Sequence, residues 1–149
     1  MTTIKDIVPP SVLLKIANRI ANSARQFARK TGSKRVPKSI KVGRVTSTQA
    51  TASISIWLDL NIAPQAGAFE KGAKRHPINA RNYPNLVFEG TNRFAGQIIR
   101  TPHVNHPGMR ARPFVKPAKE KHRKQNLEEI REAVGRNMRL QIRTMSRKV

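Results

Sequence analysis

Apolar residues recur at helical spacing near both ends of the chain. Over 10–31 they occupy Leu13, Ile16, Ala17, Ile20, Ala24, Phe27 and Ala28. This spacing predicts an amphipathic helix over 10–31. A second stripe comprises Leu127, Ile130, Val134, Met138, Ile142 and Met145. It predicts a long helix over 114–145.

Alternation of apolar and polar residues marks the middle of the chain. It runs through 38–60 and returns over 86–104, so each range is predicted to form an antiparallel hairpin with one buried face. Residues 61–85 are predicted to form a short helix and then a basic loop. Together these elements predict an α+β fold. It has one antiparallel sheet of about four strands, with an N-terminal helix and a long C-terminal helix packed on one side.

Proline and glycine are densest in the segment 101–118. Proline lacks an N–H and has a fixed φ, so it ends strand ladders and suits the first turn of a helix. We therefore expect 105–118 to contain a tight turn at 106–108 and a helix start at Pro113 or Pro117. Phe114 is expected to anchor this helix start in the core.

Composition bounds the size of the protein and the class of its partners. The 149 residues match one domain, predicted as 1–149. Thirty Lys and Arg against eight Asp and Glu give a formal net charge of +22, spread along the whole chain. Such a field attracts polyanions, so nucleic acid or an acidic protein surface is the expected partner. Without cysteine or an apolar run of about 18 residues, neither disulfides nor a membrane partner is expected.

Residue types that carry catalysis or hold metals are sparse. Only His103 and His106 are close among the histidines, and in an extended segment their side chains point to opposite faces. Glu70 and Glu89 are expected to form ion pairs with neighbouring bases. No phosphate-binding loop or nucleophile motif is present. We therefore expect no enzyme activity, no cofactor and no metal.

Dedicated nucleic-acid-reading elements are also missing from the sequence. Its five Phe, one Tyr and one Trp are too few and too scattered for a base-stacking sheet. Helix-turn-helix and zinc-finger spacings do not occur either. What remains is positive charge without a base-reading element. Such a surface holds phosphates non-specifically, with an affinity that falls as salt rises.

The order of short motifs resembles a known family. His-Pro-Gly at 106–108, then Arg-Pro-Phe at 112–114 and Pro-Ala at 117–118, resembles a signature of neck and tail-completion proteins of long-tailed bacteriophages. Upstream, Glu-Lys-Gly at 70–72 and Leu-Val-Phe at 86–88 are similar to earlier blocks of that family. The residues that carry the resemblance are Glu70, Gly72, His106, Pro107, Gly108, Arg112, Pro113, Phe114 and Pro117.

The resemblance implies a structural virion protein, assembled in the host cytoplasm and placed in the neck between head and tail. It implies a homo-oligomeric ring, with a hexamer favoured over a dodecamer. The neighbours would be head-completion or connector proteins and tail-terminator or tail proteins, with double-stranded DNA passing through the channel. A tail terminator is the alternative within this class. The apolar stripe of the last helix is assigned to the core, or partly to the ring interface.

Basic residues on predicted loops are the candidates for contact with DNA or an acidic neighbour, because long flexible cations neutralise phosphates without reading bases. They are Lys34, Arg35, Lys38, Lys74, Arg75 and Arg81. The alternative function is a ribosomal or other ribonucleoprotein component, since small size, high positive charge and absence of cysteine are typical of that class as well.

Overall fold

Helix α1 (Pro10–Arg29) packs against the short helix that follows it, against the first two strands and against the last two helices. The computed structural model describes residues 8–47, 51–90 and 94–146. After α1 come α2 (Val36–Ser39), β1 (Ile40–Ser47), β2 (Ala52–Leu58), α3 (Ala66–Lys71), β3 (His76–Asn79), β4 (Leu86–Glu89), β5 (Ile98–Thr101), β6 (His103–His106), α4 (Val115–Lys121) and α5 (Arg123–Ser146). The predicted α+β class, with an N-terminal helix, antiparallel strands and a long C-terminal helix, is confirmed.

Small side chains let α1 approach its neighbours closely. Ala17, Ala21, Ala24 and Ala28 are buried and recur at steps of three and four, so they share one face of the helix. Around that face lie the buried residues Val36, Ile40, Ala63, Ala66, Phe114 and Ala118. Phe114 is fully buried, which confirms its assignment to the core. Burial of one such side chain stabilises the fold by about 1.5–3 kcal/mol.

The strands form three two-stranded antiparallel ladders, whereas the alternation predicts one sheet of about four strands. β1 pairs with β2, from Ile40 opposite Leu58 to Ser47 opposite Ala52. β4 pairs with β5, and β3 pairs with β6. Pro102 separates β5 from β6; because proline interrupts a ladder, these strands take different partners. The hairpins predicted over 38–60 and 86–104 include residues 48–50 and 91–93, which lie outside the described part of the chain.

The segment predicted as a basic loop contains a strand. β3 pairs with β6 in a register that places His76 opposite His106 and Asn79 opposite His103. All four residues of β3 are exposed, which explains why its sequence shows no alternation of apolar and polar positions. After β3, the N–H of Ala80 donates to the carbonyl of Pro102 at 3.0 Å and extends this contact.

The helix predicted over 114–145 is two helices, α4 and α5, which are separated at His122. The His122 ring is hydrogen-bonded to the Ser23 hydroxyl of α1 at 2.7 Å. Further along, Arg19 of α1 contacts Asn126 and Glu129 of α5. From the first of these contacts to the last, the residue numbers fall in α1 and rise towards α5, so the two helices run antiparallel.

The apolar stripe of α5, which the sequence assigns to the core or partly to the ring interface, contributes no described residue to the buried core. Leu127, Met138 and Ile142 are 46%, 50% and 61% exposed, whereas Ile130 and Val134 are half-buried. Among the described side chains of α5, the buried ones are Asn126 and Ala133, which share the face turned towards α1. The helical spacing predicts the helix correctly, but it does not identify the buried face.

Candidate functional site

The motif residues predicted from the sequence meet at one junction between α3 and the start of α4. Glu70, in the last turn of α3, accepts three backbone N–H groups through its carboxylate. Phe114 and Val115 donate to Oε2 at 2.7 and 3.0 Å, and Lys116 donates to Oε1 at 3.2 Å. The first N–H groups of a helix have no partner within the helix, so this carboxylate caps α4. The expected ion pair of Glu70 with a neighbouring base is therefore replaced by a helix cap.

Backbone hydrogen bonds join the two sides of this junction. Ala73 and Met109 exchange N–H to carbonyl bonds of 2.9 and 2.8 Å. The N–H of Arg112 donates to the carbonyl of Phe69 at 2.7 Å. The Glu-Lys-Gly and Arg-Pro-Phe blocks thus lie side by side, although about forty residues separate them in sequence.

Two glycines allow the close approach of these segments. Gly72 ends α3 with φ of +80°, and a Cβ there would lie 3.0 Å from the Met109 carbonyl oxygen. Gly108 has φ of +88°, and a Cβ there would collide with the backbone carbonyl oxygen of Ala73. Both positions need glycine, since side chains disfavour positive φ and neither site has room for one.

The His-Pro-Gly turn is held by its own histidine. Gly108 donates its N–H to Nδ1 of His106 at 3.1 Å. The His106 ring lies 5.1 Å from the ring of His76 on the facing strand. His76 Nδ1 donates to the carbonyl of Lys74 at 2.8 Å. The turn is therefore connected to the chain segment that carries Lys74 and Arg75.

The remaining motif residues have backbone or packing roles. Arg112 and Pro113 are exposed, and Arg112 contributes to the junction through its N–H. Pro117 lies in the first turn of α4, where its missing N–H removes one group that would otherwise need a partner.

The six basic candidates are exposed, and the structure divides them between two regions. Lys34 and Lys38 line a shallow depression of about 410 Å³ together with Arg29 of α1, and Arg35 lies beside them in sequence. Lys38 belongs to α2 and not to a loop, contrary to the sequence-based expectation. Lys74 and Arg75 follow the junction, where their backbone passes directly under Gly108. Arg81 lies just beyond β3. Within the described ranges, none of these six side chains has a carboxylate within 4.0 Å.

Acidic residues are used elsewhere in the described structure. Glu129 accepts a 2.6 Å hydrogen bond from Arg19 and lies 3.6 Å from Lys15. The hydrogen bond from Arg19, with its charge and that of Lys15, outweighs burial and holds the pKa of Glu129 below its ordinary value. Oε2 of Glu129 is buried and has no hydrogen-bond partner among the described residues. The contacts of Glu129 with Arg19 and Lys15 join α1 to α5, and they do not neutralise the six basic candidates.

The six sequence-based candidates do not include several basic residues that the structure groups together. Arg29 belongs to the depression with Lys34 and Lys38. Arg136, Arg139 and Arg143 surround Leu140 on one exposed face of α5. The spacing of these three arginines, at steps of three and four, was the available signal, because residues three and four apart share a helix face.

The described residues contain no cluster of three or more metal-ligating side chains. In the same part of the chain, no helix is long and apolar enough to span a membrane. No family model, curated protein or solved structure matches the chain significantly.

Proposed function

We propose that this chain is a structural virion protein of a tailed phage and forms a ring in the neck between head and tail. In the ring, its exposed bases line the DNA channel or meet an acidic neighbouring protein. A hexamer is favoured, with a dodecamer as the lesser option. The protein completes the head-to-tail connection without catalysis, cofactor or metal.

The observation that carries this proposal is the convergence of the Glu-Lys-Gly, His-Pro-Gly and Arg-Pro-Phe blocks at one junction. Glu70 of the first block caps the helix that follows Arg-Pro-Phe, and Gly108 of the His-Pro-Gly turn packs on the backbone after Gly72. Blocks that are far apart in sequence but mutually dependent in structure behave as one motif. This supports reading them together as a family signature.

The charge distribution supports the role of a DNA channel. The six basic candidates lack carboxylate partners within the described ranges, so they are available to phosphates. Phosphate contacts position a protein on DNA but carry no sequence information. A channel through which an entire genome passes requires this kind of contact, because tight recognition of particular bases would stop the DNA.

Charge reversal at the junction tests the proposal. Lys74→Glu with Arg75→Glu should leave the fold intact but reduce the joining of heads to tails. The readout is the number of complete particles formed when the variant complements a phage that lacks the gene. The matched control, Lys119→Glu with Lys121→Glu, makes the same change in net charge on exposed positions of α4. Normal joining in the first variant, or equal loss in both, contradicts the proposed role of Lys74 and Arg75.

A ribonucleoprotein component remains the second candidate, favoured by the same net charge of +22. Purification of the tagged chain at moderate salt separates the two functions. A virion protein should be recovered with phage particles or tails, whereas a ribonucleoprotein component should be recovered with a defined RNA. A tail terminator differs only in which neighbour the ring contacts, and the particles that retain the chain would identify that neighbour.

A further inference from the structure

An uncovered apolar stripe runs along most of α5. With 3.6 residues per turn, Leu127, Val134, Met138 and Ile142 fall within about 80° of one another around the helix axis, and the exposed Arg131 lies in the same arc. Three of the four apolar residues are about half exposed or more, at 46%, 50% and 61%. Exposed apolar side chains grouped on one face of a helix favour a partner surface, since water is a poor solvent for them.

One flank of this stripe is charged, and its charges are separated by sign along the helix. Glu128, Glu132, Arg139 and Arg143 occupy a strip about 60° wide next to the apolar positions. The acids lie in the N-terminal half of α5 and the bases in its C-terminal half. The opposite flank, with Ile130, Asn137 and Gln141, carries a single charged residue, Arg123, at the start of the helix.

We propose that the stripe is covered by α5 of a second copy of this chain, running antiparallel. When two identical helices pair about a two-fold axis in this way, the same flank of each helix meets the same flank of the other. The acidic half of the charged flank then faces the basic half of its counterpart. A parallel pair would instead place the charged flank against the flank of Ile130 and Gln141, where Arg123 is the one charged residue.

A single register satisfies both the apolar and the charged positions. Placing Val134 opposite Met138 of the second copy also places Ile130 opposite Ile142. On the charged flank, with an offset of one residue from these apolar pairs, Glu132 faces Arg139 and Glu128 faces Arg143 of the second copy. Glu132 already lies 3.6 Å from Arg136 within its own helix, but both side chains of that pair are more than half exposed, so the pair contributes little stability.

Gly135 lies near the middle of this register. Glycine inside a helix costs roughly 0.5–1 kcal/mol relative to alanine. A Cβ at Gly135 would approach nothing closer than the flexible end of Arg139, at 3.5 Å, so packing within the described chain does not require the glycine. A crossing helix would use the space, because a missing side chain lets two backbones come close together.

A second copy fits this surface better than the other candidate occupants. Nucleic acid would leave the apolar side chains uncovered, and its phosphates would meet Glu128 and Glu132 beside the arginines. A purely acidic partner would match the arginines but not the two glutamates. The net charge of +22 opposes association at long range, but this repulsion is screened beyond about 8 Å at physiological salt. The two-fold contact is separate from the head-to-tail contact that closes a ring and does not depend on the proposed function.

Two single substitutions test the apolar stripe. Met138→Asp should halve the molecular mass of the main species in sedimentation or light scattering at physiological salt, whether that species is a pair of chains or a pair of rings. Leu140→Asp is the matched control, because Leu140 is 58% exposed but lies about 160° away around the helix. Circular dichroism verifies that both variants fold. An unchanged mass in Met138→Asp, or the same loss in both variants, overturns the proposal.

Charge exchange tests the antiparallel orientation. One variant carries Arg139→Glu and Arg143→Glu, so its flank is wholly acidic; the other carries Glu128→Arg and Glu132→Arg, so its flank is wholly basic. Each variant alone should pair about tenfold more weakly than the native chain, or not at all, because like charges meet. An equal mixture should recover the native mass as mixed pairs. Failure of the mixture to recover it, or native pairing by either variant alone, overturns the antiparallel contact.

Discussion

The carboxylate of Glu70 accepts the backbone N–H of Phe114 at 2.7 Å, across 44 positions of sequence. This bond fixes the end of α3 to the start of α4 and holds the chain where the Phe114 side chain enters the core. The same carboxylate accepts the next two N–H groups, so one side chain satisfies most of the free donors at this helix start. The junction is therefore a structural cap built from two distant motifs.

Removing this cap should destabilise the protein. We expect Glu70→Ala to lower the free energy of unfolding by about 1–3 kcal/mol, since it leaves helix N–H groups without acceptors. Urea denaturation measures the effect. Glu120→Ala on α4 is the control; its side chain is 54% exposed and makes only a 3.8 Å ion pair with Arg123, so its effect should stay within about 0.5 kcal/mol. Equal effects in the two variants would refute the capping role.

Gly108 should tolerate alanine less well than Gly32, although both have φ above +80°. Alanine at either position incurs roughly 1–2 kcal/mol of backbone strain. At Gly32 the new methyl group meets nothing within 4 Å, whereas at Gly108 it meets the backbone of Ala73 to Arg75. We expect Gly108→Ala to cost about 1–3 kcal/mol more than Gly32→Ala in thermal or urea unfolding. Similar losses in both variants would show that the turn is not closely packed.

The contact between Arg19 and Glu129 should make stability depend on pH. Because the folded-state pKa of Glu129 is lowered, its contribution is fully present above the unfolded value of about 4.3 and is lost as pH falls through the folded value. Arg19→Met should therefore destabilise the chain more at pH 7 than at pH 3. A remainder should persist at low pH, because Arg19 also donates to Asn126 at 2.7 Å.

Arg136→Met provides the comparison for this pH dependence. Arg136 and Glu132 form an exposed pair at 3.6 Å within one helix, so the substitution should have little effect at either pH. Unfolding curves of both variants at the two pH values measure the difference. If the loss in Arg19→Met were the same at pH 3 and pH 7, Glu129 would not be the group responsible.

Local patterns in the sequence predicted the elements well where those elements bury one face. The alternation over 38–60 corresponds to β1 and β2, and the helical spacing over 10–31 corresponds to α1. β3 could not be predicted in this way, because all of its residues are exposed and its partner β6 is distant in sequence. The pairing of strands into three ladders depends on these distant contacts.

The candidate site, like the fold, could be predicted only where local sequence determines the conformation. Turn chemistry predicted the bend at 106–108, where Gly108 has positive φ. The role of Glu70 could not be predicted, because a carboxylate pairs equally well with a basic side chain, and only the fold brings it to the start of α4. The stripe of α5 has the period of a core helix, yet the described part of the chain leaves Met138 and Ile142 exposed. Periodicity identifies an apolar face but not the molecule that covers it.

Binding to DNA should depend on salt and be indifferent to sequence. Two unrelated duplexes should give the same dissociation constant by fluorescence anisotropy at each salt concentration. Replacing Lys74, Arg75 and Arg81 with alanine should reduce the slope of log affinity against log salt by up to about three, near one for each lost phosphate contact. Lys119→Ala with Lys121→Ala is the control and should leave the slope nearly unchanged. A strong preference for one duplex would contradict contact through phosphates alone.

The proposed role as a ring subunit can be observed directly. Negative-stain electron microscopy of the purified full-length chain shows whether its copies close around a channel. A ring subunit of the neck should give closed rings, hexameric or dodecameric, with an open centre wide enough for duplex DNA. Fields that contain only single chains or pairs, with no closed rings, would contradict it.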